Sequence, residues 1–365
     1  MIEPTQTRIA VEFKAGSPLV GCRFDPSGRF LFAGAQDNTV RRFDLATGAT
    51  ATLTGHASWV RGLTFVGKSP VTPAGLRGMG SVAGGGLTSA FASKAASTTL
   101  VSGDYQGTLR WWDATAEAPK PTRTIPAHDG WVRAVATSPD DALVASCGND
   151  GLVKLWSASA GSPVRTLEGH GCHVYNVAFH PSGRTLFSCD LKGVVKEWDV
   201  SAGKPVRDLD AKILHKYDSG FAADIGGARG MTVSADGSTL ACVGITNVSN
   251  AFAGVGNPLV VLFDLKDGKA RQLKPKDAFQ GTGWGVGFLP TGWVIAAGGA
   301  GQGRVWFWKP GETTDSHVVT VPANARDLAL HPDGTAFAAA GANGTAYVYT
   351  MTPGPVPPKA APKKK

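Results

Sequence analysis

VKLWSASAG (153–161) and VKEWDVSAG (195–203) are two versions of one segment, set 42 residues apart. Five more follow the same plan: VRRFDLATG (40–48), LRWWDATAE (109–117), LVVLFDLKDG (259–268), RVWFWKPG (304–311) and TAYVYT (345–350). Each is an apolar alternation that ends on an aromatic side chain, usually before a polar turn. Those aromatics are Phe43, Trp112, Trp156, Trp198, Phe263, Trp308 and Tyr349, at spacings of 69, 44, 42, 65, 45 and 41. Four of the six spacings sit near 42, so the two long ones mark insertions. A fixed period of this length points to a repeat architecture.

A second signal runs in phase. FDPSGRFLFAG (24–34), TSPDDALVASCG (137–148), FHPSGRTLFSCD (179–190), VSADGSTLACVG (233–244), FLPTGWVIAAGG (288–299) and LHPDGTAFAAAG (330–341) each read strand, tight turn, strand. Asp, Pro, Ser and Gly supply the turns, and β-branched or aromatic alternation supplies the strands. Each period thus holds about four short strands and no amphipathic helix. Such a sheet cannot bury both faces alone, whereas radial stacking on its neighbours buries them all. The expectation is all-β: a seven-bladed β-propeller of four-stranded antiparallel blades over residues 1–352. No strand follows Tyr349, so TRIAVEF (7–13) from the amino end is expected to pair into the last blade and close the ring.

The residues carrying this period resemble the WD-repeat family. His56, His128 and His170 take the place of its Gly-His residues and precede Trp112, Trp156 and Trp198. His128 to Trp156 is 28 residues, as is His170 to Trp198, whereas His56 to Trp112 is 56. The resemblance covers residues 7–350 and implies a hydrogen-bonded tetrad within a blade: a His, a strand Ser or Thr, a turn Asp and the Trp. Only the third blade fits it in full, with His128, Ser146, Asp150 and Trp156. Blade two offers His56, Ser102 and Trp112 with Gln106 at the Asp position, and blade four His170, Ser188 and Trp198 with Lys192 there. Blade one keeps Asp37 but has Ala33 and no His. A His–Ser–Asp set enclosed in a sheet reads as satisfied structure, not as a nucleophile with its base.

Composition narrows the rest. Apolar residues make up 42% of the 365, enough for a large core, and no run of 18 apolar residues suggests a spanning helix. The start MIEPTQTRIAVEF lacks the basic-then-apolar layout of a secretory signal, so a cytoplasmic protein with no membrane role is expected. Five cysteines without CxxC spacing argue against a disulfide framework, a zinc knuckle or attached haem. Cys147, Cys189 and Cys242 fall at equivalent inner-strand positions and read as packed thiols; no metal or cofactor is expected. Net charge is +8, and the tail 353–365, ending in Lys363, Lys364 and Lys365, reads as a disordered, solubilising Pro/Lys appendage.

Insertions and columns carry the functional signal. Residues 67–97 enlarge blade two between its first and second strands, on the bottom face by resemblance, and read as a tolerated Gly-, Ala- and Ser-rich loop. Blade five carries insertions at 211–228 and 244–258, both leaving the sheet at the top. They either form a rim with His215, Tyr217, Phe221 and Phe252 as contacts, or cover one another.

Five residues before Asp25, Ser138, His180, Ser234, Leu289 and His331 stand Val20, Arg133, Tyr175, Arg229, Trp284 and Arg326; Arg61, five after His56, is the blade-two equivalent. By resemblance this column lies at the top mouth of the axial channel. Two residues earlier the column reads Pro18, Trp59, Trp131, His173, Gly227, Thr282 and Asn324. Arginine beside aromatic residues suits partner recognition and anion capture. The expectation is a non-catalytic scaffold that holds a protein or peptide, acidic or phosphorylated, through Arg61, Arg133, Tyr175, Arg229, Trp284, Arg326, Trp59, Trp131 and His173. It would act as a monomer or as a subunit of a hetero-complex. The competing structural reading pairs these arginines with Asp104, Asp190 and Asp327. Nucleic-acid association through the same face is a weaker alternative, and a propeller enzyme would need carboxylate or His ligands that the column lacks.

Two motif matches are set aside. GLTFVGKS (62–69) fits the phosphate-loop pattern, but its middle completes a strand and Pro70 and Pro73 oppose the following helix. Asn247-Val-Ser249 and Asn343-Gly-Thr345 match glycosylation acceptors, which need a secretory route.

Overall fold

In Val153–Ser157, VKLWS, the side chains of Val153, Leu155 and Trp156 are buried and Lys154 and Ser157 are half-exposed. The bulk of Trp156 needs a second sheet to cover it, and every repeat meets that need in the same way. The computed structural model describes residues 2–67, 98–250 and 255–353. The 67–97 insertion beyond Gly67, Phe252 and the tail from 354 lie outside the described residues.

Seven four-stranded antiparallel sheets follow one another along the chain. Blade one comprises Leu19–Phe24, Phe30–Ala35, Val40–Asp44 and Thr50–Leu53, and blade two Val60–Val66, Thr99–Asp104, Thr108–Asp113 and Pro121–Pro126. Blade three comprises Val132–Thr137, Leu143–Gly148, Val153–Ser157 and Pro163–Leu167, and blade four Val174–Phe179, Thr185–Asp190, Val194–Asp199 and Lys204–Asp210. Blade five comprises Gly230–Val233, Thr239–Asn250, Val255–Asp264 and Ala270–Leu273, and blade six Thr282–Phe288, Val294–Gly299, Gly303–Trp308 and His317–Val321. The last blade takes Ala325–Leu330, Ala336–Gly341 and Thr345–Thr350 from the carboxyl end. Its outermost strand is Arg8–Lys14, in antiparallel register from Arg8 opposite Thr350 to Lys14 opposite Thr345.

The first strand of each blade is innermost and touches its counterpart in the next blade all the way round, including blade seven against blade one. A separate apolar cluster fills each junction between blades. Between blades two and three it holds Val101, Leu109, Trp111, Val132, Val144 and Trp156; between three and four, Cys147, Leu155, Leu167, Val174, Leu186 and Trp198. Each repeat aromatic therefore packs against the preceding blade, and at the closing junction Phe43 stacks on Phe13 at 4.9 Å.

Arginine fastens the outer rim. Arg42 donates to the carbonyls of Ala114 and Ala116, Arg123 to Ser159, Arg165 to Ser201 and Ala202, and Arg207 to Leu265, each in the following blade. Four of the 36 basic residues thus join successive blades.

Blade five carries structure beyond its four-stranded core. Residues 212–226 form a short 3-10 turn and a hairpin pairing His215–Asp218 with Ala223–Gly226, while the second and third strands extend well past the sheet. Lys216 Nζ donates to Val248 O at 2.6 Å and links the two. His215 is held by Asp224 at 2.7 Å, so it is not a free contact, whereas Tyr217 and Phe221 are 55% and 60% exposed. In the phosphate-loop match, Gly62 to Val66 lie within the strand Val60–Val66, and Lys68 and Ser69 fall outside the described residues.

Candidate functional site

The column residues share a backbone device. In blades one to four the strand register skips one residue between Leu19 and Gly21, Val60 and Gly62, Val132 and Ala134, and Val174 and Asn176. The skipped residues are Val20, Arg61, Arg133 and Tyr175. Blade six skips Trp284, and blade seven skips Arg326 and Asp327. A bulge leaves its residue out of the ladder and re-aims the side chain. In blade five Arg229 N–H donates to Val243 O, which Gly230 also opposes in register.

These re-aimed side chains build a stack of alternating rings and guanidinium groups. Tyr105 lies 4.0 Å from Trp131 at an interplanar angle of 4°, and 5.8 Å from Trp59 on its other side. Arg133 sits 4.2 Å from the Trp131 ring centre and 4.4 Å from that of Tyr175. Arg229 continues at 4.4 Å from Tyr175 and 5.5 Å from Trp284, and Arg61 lies 5.5 Å from Trp284. Cation–π attraction of this kind grows as the pair is desolvated. A side chain at Gly227 would stand 2.6 Å from Tyr175 Cδ2, and φ there is +78°, so glycine is required for the stack to form. Together Trp59, Arg61, Tyr105, Trp131, Arg133, Tyr175, Arg229 and Trp284 line a recess of about 180 Å³ at the head of the channel.

Arg61 crosses that mouth. Its guanidinium donates to Val20 O in blade one at 3.2 Å and to Arg229 O in blade five at 3.1 Å. Arg133 Nε donates to Asn149 Oδ1 at 2.7 Å. Burial pulls the Arg133 guanidinium below its usual value; the phenols of Tyr175 and Tyr105 oppose this, and Arg229 and Arg61 add to it. Burial does the same to Arg326, opposed by Tyr105 and reinforced by Arg61. Arg229 Nε and Trp284 Nε1 are buried with no hydrogen-bond acceptor among the described residues.

The carboxylates expected to neutralise these arginines are engaged elsewhere. Asp327 pairs with Arg23 at 2.7 Å and accepts the Cys22 N–H, while Asp104 and Asp190 accept from His56 and His170 at 2.7 and 2.9 Å. This also corrects the tetrad. Blades two and four are complete, with Asp104 and Asp190, two residues after the serine, in the place assigned to Gln106 and Lys192. Each of these aspartates also accepts backbone N–H groups of its turn, Gln106 and Thr108 or Lys192 and Val194. Blade three has Gly148 at that point, and Asp150, four after Ser146, does the work at 2.9 Å from His128. In all three, the Trp indole N–H donates to the Ser hydroxyl, which lies 2.7 Å from the His ring. A carboxylate only accepts, so each of the three rings carries a proton on Nδ1 facing its aspartate, and burial keeps His56 in the neutral form.

Trp59 and Trp131 are 41% and 38% exposed on the rim, and His173 is half-buried beside them in the column. The carbonyls of Trp59, Trp131 and His173 accept N–H groups from Tyr105, Asn149 and Leu191, which follow the second strands. Tyr105 and Asn149 were absent from the column, yet both belong to the mouth. Their signal was available: each stands immediately after the last residue of its second strand.

A family model described as "WD domain, G-beta repeat" matches residues 10–44, 119–157 and 161–199. A "Ribosome biogenesis protein WDR12 homolog" of Chlamydomonas reinhardtii is 34% identical over 136 residues, covering 36% of this chain and 24% of that protein. A "Small ribosomal subunit protein RACK1y" of Oryza sativa subsp. japonica is 28% identical over 157 residues, covering 37% of this chain and 46% of that protein. A "Nuclear distribution protein PAC1" of Coccidioides posadasii is 28% identical over 135 residues, covering 37% and 26%. The chain spans less than half the length of the curated relatives it matches.

Proposed function

The chain belongs to the WD-repeat β-propeller family, and from that premise we propose that it is a non-catalytic interaction scaffold. The bound partner is a protein or peptide, acidic or phosphorylated, held on the arginine and aromatic top face in the cytoplasm. The chain then acts alone or as one subunit of a hetero-complex. One observation carries this reading: Arg61, Arg133 and Arg229 line one recess with Arg326 in electrostatic reach of it, and among the described residues no ion pair holds any of the four. Clustered cations without counter-charge repel one another, and an anionic partner relieves that repulsion.

The test is capture from the native cell with wild-type chain and with the Arg133→Glu/Arg326→Glu double variant. The variant loses its partners while its melting temperature stays close to wild type. Equal capture by a folded variant removes this face from consideration.

A second reading, nucleic-acid association, draws on the net charge of +8 and on two relatives whose names refer to the ribosome. It predicts duplex or single-strand binding that weakens steeply with salt.

A further inference from the structure

This inference rests on the reading above and narrows the chemistry of the same site. Arg61 donates across the mouth only to neutral carbonyls, at 3.2 and 3.1 Å, the long end of the N–H···O range. Arg229 Nε and Trp284 Nε1, side by side in the stack, have no acceptor among the described residues. Among the described residues, no side-chain hydrogen bond or ion pair engages Arg326. The mouth therefore holds more donors than acceptors and four guanidinium charges.

We propose that the recess binds one phosphoryl dianion, carried on a phosphorylated side chain of the protein partner. Arg61 exchanges its two carbonyl acceptors for phosphate oxygens, Arg229 supplies a further donor through its unpaired Nε, and Arg326, within electrostatic reach of Arg61 and Tyr105, adds its charge. A carboxylate offers two oxygens and one charge; a phosphoryl group offers three oxygens and up to two charges, so it adds ion pairing that the neutral carbonyls do not supply. The binding is non-covalent, so no bond is made or broken.

Geometry favours a side chain over a nucleic-acid strand. Sequence-tolerant strand binding stacks successive bases on open ring faces. Here Tyr105 lies between Trp59 and Trp131, Trp131 is covered by Arg133, and Tyr175 lies between Arg133 and Arg229. These contacts occupy the rings of Tyr105, Trp131 and Tyr175, which leaves the exposed Trp59 as a single platform, and the recess of about 180 Å³ admits one group, not a run of them.

The full-length chain is titrated calorimetrically with inorganic phosphate, sulfate and acetate. At pH 7.5 phosphate and sulfate bind at one equivalent, and acetate binds about tenfold more weakly or worse. Between pH 7.5 and 5 inorganic phosphate loses nearly a hundredfold in affinity, because its second pKa near 7, about a unit above that of a phosphorylated side chain, leaves only about a hundredth of it doubly charged. Sulfate stays doubly charged and reports the protein's own groups. Those around the mouth are His173 from blade four, the phenols of Tyr105 and Tyr175, and Asp327, which is paired with Arg23; any effect of theirs is common to both anions. Arg326→Gln weakens phosphate about tenfold, while Arg271→Gln, on the exposed outer strand of blade five, leaves it unchanged. Acetate binding as well as phosphate overturns the phosphoryl assignment and leaves an acidic partner on this face. No phosphate binding up to about 10 mM also overturns it; the face itself falls only if capture is indifferent to Arg133 and Arg326. Displacement of phosphate by a single-stranded oligonucleotide overturns it in favour of nucleic acid.

Discussion

His56 Nδ1 lies 2.7 Å from Asp104 Oδ2, and both groups are almost wholly buried. Asp104 also caps its own turn through Gln106 and Thr108, so one carboxylate ends the strand and holds the imidazole. Asp104→Ala strands three donors and costs about 2–4 kcal/mol. Gln106→Ala, at the position the repeat pattern assigns to the aspartate, stays within about 0.5 kcal/mol of wild type. Urea unfolding of the two variants checks the assignment, and equal losses would contradict it.

Acid weakens the ring in two stages. Burial lowers the His56 value below 6.5 in spite of the raising effect of Asp104. The unfolded chain therefore binds more protons just below that pH, and stability falls as pH drops through this window. Burial pushes Asp104, Asp150 and Asp190 upward, but hydrogen bonds from their histidines and turn N–H groups outweigh it and hold all three below 3.8. Their contribution is present above 3.8 and is lost as pH falls through the folded values. Thermal midpoints should decline modestly from about pH 7 to 5.5 and steeply below about pH 4. A rise between the first two would refute the neutral-imidazole assignment.

Gly28 and Gly48 form a matched pair. Both have left-handed backbone, φ +74° and +76°, but a Cβ on Gly28 would meet His331 Nε2 at 2.2 Å, and one on Gly48 meets nothing within 4 Å. His331 Nε2 also bonds Gly28 O at 3.0 Å, joining blade seven to blade one. Gly48→Ala should cost about 1 kcal/mol from backbone strain alone. Gly28→Ala costs more, because it also displaces the imidazole at the closing junction. Chemical denaturation that ranks them equally would show that this contact contributes nothing.

Removal of residues 2–14 takes away the outermost strand of blade seven and uncovers Phe43 at the next junction. Since every blade packs on two neighbours, the loss should lower one cooperative transition for the whole ring. Calorimetry showing an unchanged main transition with a small separate one would mean that blade seven melts alone.

Strand content and blade number were legible because they rest on alternation and on a period repeated seven times, whereas the bulge that re-aims the column residues leaves no mark in that period. The aspartates of blades two and four were misplaced for a physical reason. A carboxylate at the strand end and one in the turn reach the same imidazole, so spacing from a single complete copy does not fix which is used. Tyr105 and Asn149 escaped because they lie in a turn outside the apolar pattern, although their place directly after the second strand was a signal that could have found them. The outer arginines that join blades were read merely as charge, since their acceptors are backbone carbonyls of another repeat.

Hydrogen–deuterium exchange of the captured complex against the free chain tests the central claim most directly. The account predicts slowed exchange at the mouth, around Trp59–Gly62, Tyr105, Trp131–Ala134, Tyr175 and Arg229, with the opposite-end turns at Asp25, Ser138, His180 and Ser234 unchanged. Protection confined to those turns or to the blade edges would contradict it.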